Sequence, residues 1–220
     1  MQFSVVAWAV MVSGALSAVA FLPYILDTLR RQTQPERASW LIWSVLSTIA
    51  FFSQVYEGAT TSLWFVAVQV SGTILVCLLS VKRGVGGFMR RSDRWILIAA
   101  ALGLMLWYFT SSAAYALAVT ISISLLGGSV TVLKAYFEPR TETFSTWVLF
   151  LIASALALFS VGELDWVLLA YPMYLTTLYG AIVLAMVIGR ARERWRATAS
   201  VGAAIATIEG PFRGGAGGRA

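Results

Sequence analysis

Hydrophobic positions in this chain do not alternate with polar ones; they run on without a break. Six stretches contain no Asp, Glu, Lys or Arg: 1–26, 38–56, 58–81, 95–133, 143–162 and 166–189. A bilayer core about 30 Å thick is crossed by roughly 20 apolar helical residues, and every stretch reaches or approaches that length. Runs of this kind predict membrane helices. The 39 residues from 95 to 133 would form one helix about 58 Å long at 1.5 Å per residue, nearly two bilayer cores. Splitting that run at Thr110-Ser111-Ser112 gives seven spans, roughly 4–26, 39–56, 60–81, 95–109, 113–133, 145–162 and 166–189.

Charge then supplies an orientation. Basic residues concentrate on the cytoplasmic side of membrane proteins. The loops at 27–38, 82–94 and 134–144 and the C-terminal tail carry 3, 5, 2 and 6 Lys or Arg, and the intervening loops carry none. Seven spans place all 16 basic residues on one side, whereas six would divide them 8 against 8. The N-terminus is therefore expected outside and the C-terminus in the cytoplasm, in a multi-pass protein of the inner (plasma) membrane. Leu16-Ser17-Ala18-Val19-Ala20 has the small residues of a signal cleavage site. A basic segment before it is missing, however, and cleavage would invert the orientation.

Composition changes the picture mainly by exclusion. The chain is 59% hydrophobic and 12% charged, against about 25% charged in soluble proteins. A soluble enzyme, a secreted disulfide domain and a disordered chain are excluded, and continuous apolar runs argue against a β-barrel. There is no His, no Asn, one cysteine (Cys77), and only two lysines, Lys82 and Lys134, both at the ends of runs. No metal site, cofactor or catalytic acid/base pair is expected. All ten carboxylates lie at or outside the span ends. Since ion-coupled pumps carry ionisable groups inside the membrane, downhill movement is expected.

Sliding the chain by 107 residues places Trp40 on Trp147, Ser47 on Ser154, Ala50 on Ala157 and Phe52-Ser53 on Phe159-Ser160. The basic loops and span ends coincide as well. Spans 1–3 thus match spans 5–7, with span 4 between them, an arrangement of parallel repeats known in transporters. The expected organisation is a first three-helix repeat at 1–83 and a basic loop with linker helix at 84–112. A second repeat follows at 113–189, then a basic and Gly-rich tail at 190–220, partly disordered.

Leu22-Pro23-Tyr24, Thr33-Gln34-Pro35 and Ser39-Trp40-Leu41-Ile42-Trp43 resemble the PQ-loop motif of the SWEET and SemiSWEET sugar facilitators, over about residues 4–189. The chain is most similar to a bacterial seven-span branch with the same Ser-Trp-x-x-Trp signature. This resemblance implies an all-α, 3-1-3 membrane fold, alternating access, and Pro23, Thr33, Pro35, Ser39, Trp40 and Trp43 as motif residues. Tyr24 stands where the family has Gln, Val130 where the second repeat would have Pro, and the family's pocket asparagines are absent. Architecture carries over; sugar specificity does not.

Several residues are candidates for function. Pro23 breaks the helical ladder of span 1 and could serve as a hinge, with Gly127-Gly128 in the second repeat and Pro172 in span 7 as counterparts. Each can equally be an ordinary Pro or Gly of a membrane helix. Gln69, at the middle of span 3, falls opposite Thr176 under the 107-residue shift. The two read as a midplane substrate site or as hydrogen-bonding glue between helices. Trp64 and Tyr171, one turn outward, are candidate aromatic walls. Trp43 is expected in the interfacial Trp belt, Trp40 and Trp147 at the loop-to-helix corners, and Thr33-x-x-Glu36 as a capping box opening span 2.

The expected partners are the bilayer, anionic headgroups at the cluster Arg190–Arg196 and a small solute. Nucleic acid is not expected, since topology already accounts for the basic residues; monomer and homo-oligomer both stay open. The functional expectation is a uniporter-like facilitator of a small polar solute, with sugars among the candidates. A vitamin-precursor or nucleoside facilitator on the same plan, and a non-transporting sensor or assembly partner, are the alternatives.

Overall fold

Long apolar runs satisfy their backbone groups internally as helix, and the described residues are almost entirely helical. The structure, a computed structural model, describes residues 2–56, 63–87, 98, 105, 108–109, 113–159 and 166–213. Six long helices are seen among the described residues. They are α1 (Gln2–Leu29), α2 (Arg37–Tyr56), α3 (Leu63–Arg83), α4 (Ala113–Phe137), α5 (Phe144–Phe159) and α6 (Trp166–Arg213). A 3₁₀ turn, Pro139–Thr141, precedes α5. The expected fourth span, 95–109, lies outside the described residues apart from a few isolated positions.

Segments Ala7–Leu29, Ala118–Phe137 and Leu169–Ser200 are each long and apolar enough to cross a membrane. Their outward faces are apolar too: Leu22, Leu26, Leu126, Leu133 and Leu184 are exposed. Apolar side chains lining the outside of a bundle suit lipid rather than water. The described residues are thus all-helical, and their three long apolar helices are compatible with a membrane protein.

Polar residues set the helix ends. α1 stops where Arg31 adopts the left-handed conformation (φ 61°), which turns the N–H groups of Gln32 and Thr33 back onto the Asp27 carbonyl at 2.8 and 3.2 Å. At the start of α2 the Glu36 carboxylate accepts the Ser39 N–H at 2.7 Å. The expected capping box is thereby corrected: Glu36 itself is the cap, and the Thr33 hydroxyl instead bonds the hydroxyl of Thr143, 110 residues away. Arg37 closes the end of α3 by donating to the carbonyls of Ser80 at 2.9 Å and Gly86 at 2.6 Å. α6 continues as helix to Arg213, and the end of the Gly-rich tail, 214–220, lies outside the described residues.

In the first half α3 packs against both α1 and α2; in the second, α6 packs against both α4 and α5. The halves meet through α1 on α5 and α2 on α4. Exchanging α1, α2 and α3 for α4, α5 and α6 leaves this set of neighbours unchanged. Two hydrogen bonds across the junction also exchange. Thr146 Oγ1 donates to the Ala20 carbonyl at 2.9 Å, and Ser39 Oγ donates to the Gly127 carbonyl at 2.9 Å. Ser39 and Thr146 are 107 residues apart, as are Ala20 and Gly127. α1 runs unbroken through Pro23, and Ala20 lies in the turn that Pro23 weakens. A neighbouring hydroxyl therefore supports a carbonyl beside the proline, a common remedy in membrane helices.

Candidate functional site

The described helices enclose a cavity of about 40 Å³ at the junction of the halves, room for a few waters. Its lining comes from all six: Phe21 (α1); Trp40, Trp43, Leu46 and Ser47 (α2); Gln69 and Thr73 (α3); Ser124 (α4); Trp147 and Phe150 (α5); Tyr171, Tyr174, Leu175, Leu178 and Tyr179 (α6). No lining residue is charged, and most of the wall is aromatic. The Phe150 and Tyr179 rings stack at 5.2 Å, and Phe21 meets Phe150 edge-on at 4.8 Å.

Gln69 is buried on this wall. Its amide can donate twice and accept twice, yet it makes only two long side-chain contacts. One is from Ser17 Oγ to Oε1 at 3.5 Å, and the other from Nε2 to Tyr179 Oη at 3.5 Å. Both exceed the usual 2.7–3.2 Å range for such bonds. Trp43 Nε1 and Tyr174 Oη are buried and, among the described residues, neither makes a hydrogen bond of normal geometry, although Tyr174 lies close to both Trp43 and Ser124. Burial of an unsatisfied donor costs about 1–3 kcal/mol, so such groups in a cavity wall call for a polar occupant. By contrast, Ser47 and Thr73 satisfy each other at 2.9 Å.

The structure brings some of the expected residues together and separates others. Gln69 and Tyr171 share the cavity. Thr176 does not: it donates to the Pro172 carbonyl of its own helix at 2.8 Å and is absent from the lining. From α6, Tyr174 and Leu178 line the cavity that Gln69 and Thr73 line from α3. Gly84 and Gly189 each place a backbone carbonyl (of Pro35 and of Tyr136) within 2.6 and 2.5 Å of where a Cβ would stand. The side chain of Trp64 lies outside the described residues.

Trp43 is a cavity wall, meeting Trp40 at 5.3 Å and Trp147 at 6.2 Å. Gly127 and Gly128 permit close packing: a Cβ on Gly127 would stand 3.3 Å from Ile42, and one on Gly128 2.6 Å from Leu178. Pro172 is half-buried within α6.

Sequence reasoning missed Tyr174 and Tyr179. A signal was present, since Tyr171, Tyr174, Leu175, Leu178 and Tyr179 recur at three, four, seven and eight residues along one helical face.

Toward the basic loops, the fully buried Trp40 and Trp147 floor the cavity, and Tyr24, also fully buried, packs against both. Trp40 Nε1 donates to Tyr24 Oη at 3.1 Å, and Trp147 Nε1 donates to Glu142 Oε2 at 3.0 Å. Beneath them Lys134 Nζ pairs with Glu142 Oε1 at 2.5 Å, with both side chains buried. The cluster after residue 189 is partly engaged by protein. The Arg190 guanidinium lies 4.8 Å over Phe144, and Arg192 lies 4.5 Å over Tyr136 while donating to the Tyr136 carbonyl at 3.2 Å. Arg194, Trp195 and Arg196 are exposed.

Comparison of the chain with family models, with curated proteins and with solved structures returns no match.

Proposed function

We propose that this chain is a seven-span facilitator, resembling the SWEET plan, that moves a small neutral polar solute downhill by alternating access between two three-helix repeats. Its carrying observation is the cavity between the halves, walled by aromatic rings and free of charge. There the Gln69 amide is loosely held, and Trp43 Nε1 and Tyr174 Oη make no hydrogen bond of normal geometry among the described residues. The exchangeable helix contacts and the reciprocal Ser39 and Thr146 hydrogen bonds support the repeat reading. Basic residues of several loops meet at one end: Arg83 bonds the Leu29 carbonyl, Arg37 the end of α3, Lys134 the Gln34 carbonyl and Arg192 the end of α4. That convergence supports a cytoplasmic basic end, an outside N-terminus and residence in the inner membrane. Arg194, Trp195 and Arg196 are the residues left to meet anionic headgroups.

At about 40 Å³ the cavity is smaller than a sugar, so a solute enters only when the helices part. Substrate binding is assigned to Gln69, Trp43, Tyr174 and Tyr179, with Pro23 and Gly127-Gly128 as flexing points. The protein in proteoliposomes is expected to take up at least one member of a panel of neutral sugars, polyols, nucleosides and vitamin precursors. Gln69→Leu is expected to slow that uptake. A blank panel from folded protein would favour the second reading, a non-transporting membrane protein, for which the tight aromatic packing speaks.

A further inference from the structure

The facilitator reading makes no use of the buried ion pair at the basic end. Lys134 ends α4, and Glu142 precedes α5; their side chains are 7% and 0% exposed. Such a pair gains little stability over an apolar substitute, because desolvation offsets the attraction, so stability alone does not explain it. Its connections are more telling. Glu142 Oε2 holds the indole of Trp147, a cavity wall. Lys134 reaches across the junction to the Gln34 carbonyl in the loop of the other half. The reciprocal crossing comes from Asp27, 107 residues before Lys134, whose carboxylate accepts from Thr143 Oγ1 at 2.9 Å. Between the crossings the Gln34 N–H bonds the Thr141 carbonyl at 3.0 Å. Acid and base at corresponding positions thus tie each half to the other's loop.

We propose that the Lys134–Glu142 pair is a latch: it fastens the two loops at the basic end to the cavity floor, and the cavity opens toward that end only when the pair parts. The inference rests on the facilitator reading for its purpose, but opening is measurable without any solute.

The test uses the full chain with Cys77→Ser and a reporter, Ser47→Cys, on the cavity wall. Labelling by a membrane-impermeant thiol reagent is followed from each side, in spheroplasts and in inverted vesicles. Glu142→Gln and Lys134→Met are each expected to speed labelling from the basic side about tenfold, the result of raising a rare open state from about 1% to 10%. The double variant is expected to go no further, since one latch can be lost only once. Lys134→Arg should label at the parental rate. Unchanged labelling in both single variants, or single effects that multiply in the double, overturns the proposal.

A clasp supplies the second measurement should the single variants not fold. Thr33→Cys with Thr143→Cys replaces two bonded hydroxyls, and its oxidation is expected to cut basic-side labelling well below the reduced level. Labelling indifferent to the oxidised clasp also overturns the latch. Labelling that responds while the solute panel stays blank would count against the facilitator alone.

Discussion

The two halves share a packing plan and differ wherever chemistry is concentrated. In the first, the carboxylate preceding the second helix, Glu36, caps that helix by accepting the Ser39 N–H. In the second, Glu142 before α5 is a buried hub for Lys134 and Trp147. Trp40 spends its indole N–H on Tyr24, whereas Trp147 spends its own on Glu142. Asp27 in one half corresponds to Lys134 in the other. The shared packing plan supplies the frame, and departures from it supply the charged groups that cross the junction. Each crossing joins a charged group to a neutral one: Lys134 donates to the Gln34 carbonyl, and Asp27 accepts from the Thr143 hydroxyl.

The sharpest way to break this contrast is to remove both carboxylates in turn. Glu142→Ala leaves Lys134 buried and uncompensated, and about 3–5 kcal/mol of stability is expected to be lost. Glu36→Ala loses a cap worth about 1 kcal/mol. Unfolding in detergent, followed by circular dichroism, compares them; equal losses would mean that Glu142 too is only a cap. The glycine contacts come next. A Cβ at position 72 would stand 2.3 Å from the Phe21 ring, whereas one at 127 would stand 3.3 Å from Ile42. Gly72→Ala is expected to cost about 1–3 kcal/mol by overpacking a rigid ring. For Gly127→Ala the gain in helix propensity of about 0.5–1 kcal/mol offsets the small adjustment.

The reciprocal hydroxyls test the junction more finely. Thr146→Val is expected to cost about 1–1.5 kcal/mol, because the Ala20 carbonyl lies in the turn before Pro23. Ser39→Ala is expected to cost less, about 0.5 kcal/mol, since the Gly127 carbonyl sits in an unbroken helical ladder. Equal losses in the melting curves would show that Pro23 does not weaken its turn. The smallest stability change is expected for Tyr174→Phe, within about 0.5 kcal/mol, because its hydroxyl makes no hydrogen bond of normal geometry among the described residues. The same change should weaken the thermal shift produced by any solute that the uptake panel identifies. An undiminished shift would remove Tyr174 from the site.

Much of the fold was legible before any packing was known. Charge-free runs located the helices, and Trp40 and Trp147, aligned by one shift, both proved to be buried corners between loop and helix. The site was legible in part. Gln69 stood out as an amide in an apolar run, but its neighbour Tyr179 did not, because a 107-residue shift points to Thr176 and the rotation of α6 is set by packing. Trp43 next to a basic loop reads as an interfacial residue, since nothing local distinguishes an indole facing lipid from one facing a cavity. Glu142 and Lys134 lie at run ends, where charges are ordinarily solvated, so their burial left no trace in the pattern.

The sequence by itself determined what depends on local chemistry: which segments are helical, how apolar they are and which loops carry the basic residues. Tertiary structure alone decided what depends on rotation and approach: that Tyr179 rather than Thr176 meets Gln69, that Trp43 lines the cavity, and that Lys134 reaches the other half. The physical reason is the helix itself. Hydrophobic runs hold a segment in the membrane whatever its rotation, and when every face is apolar, only contact with neighbouring helices fixes which face turns inward.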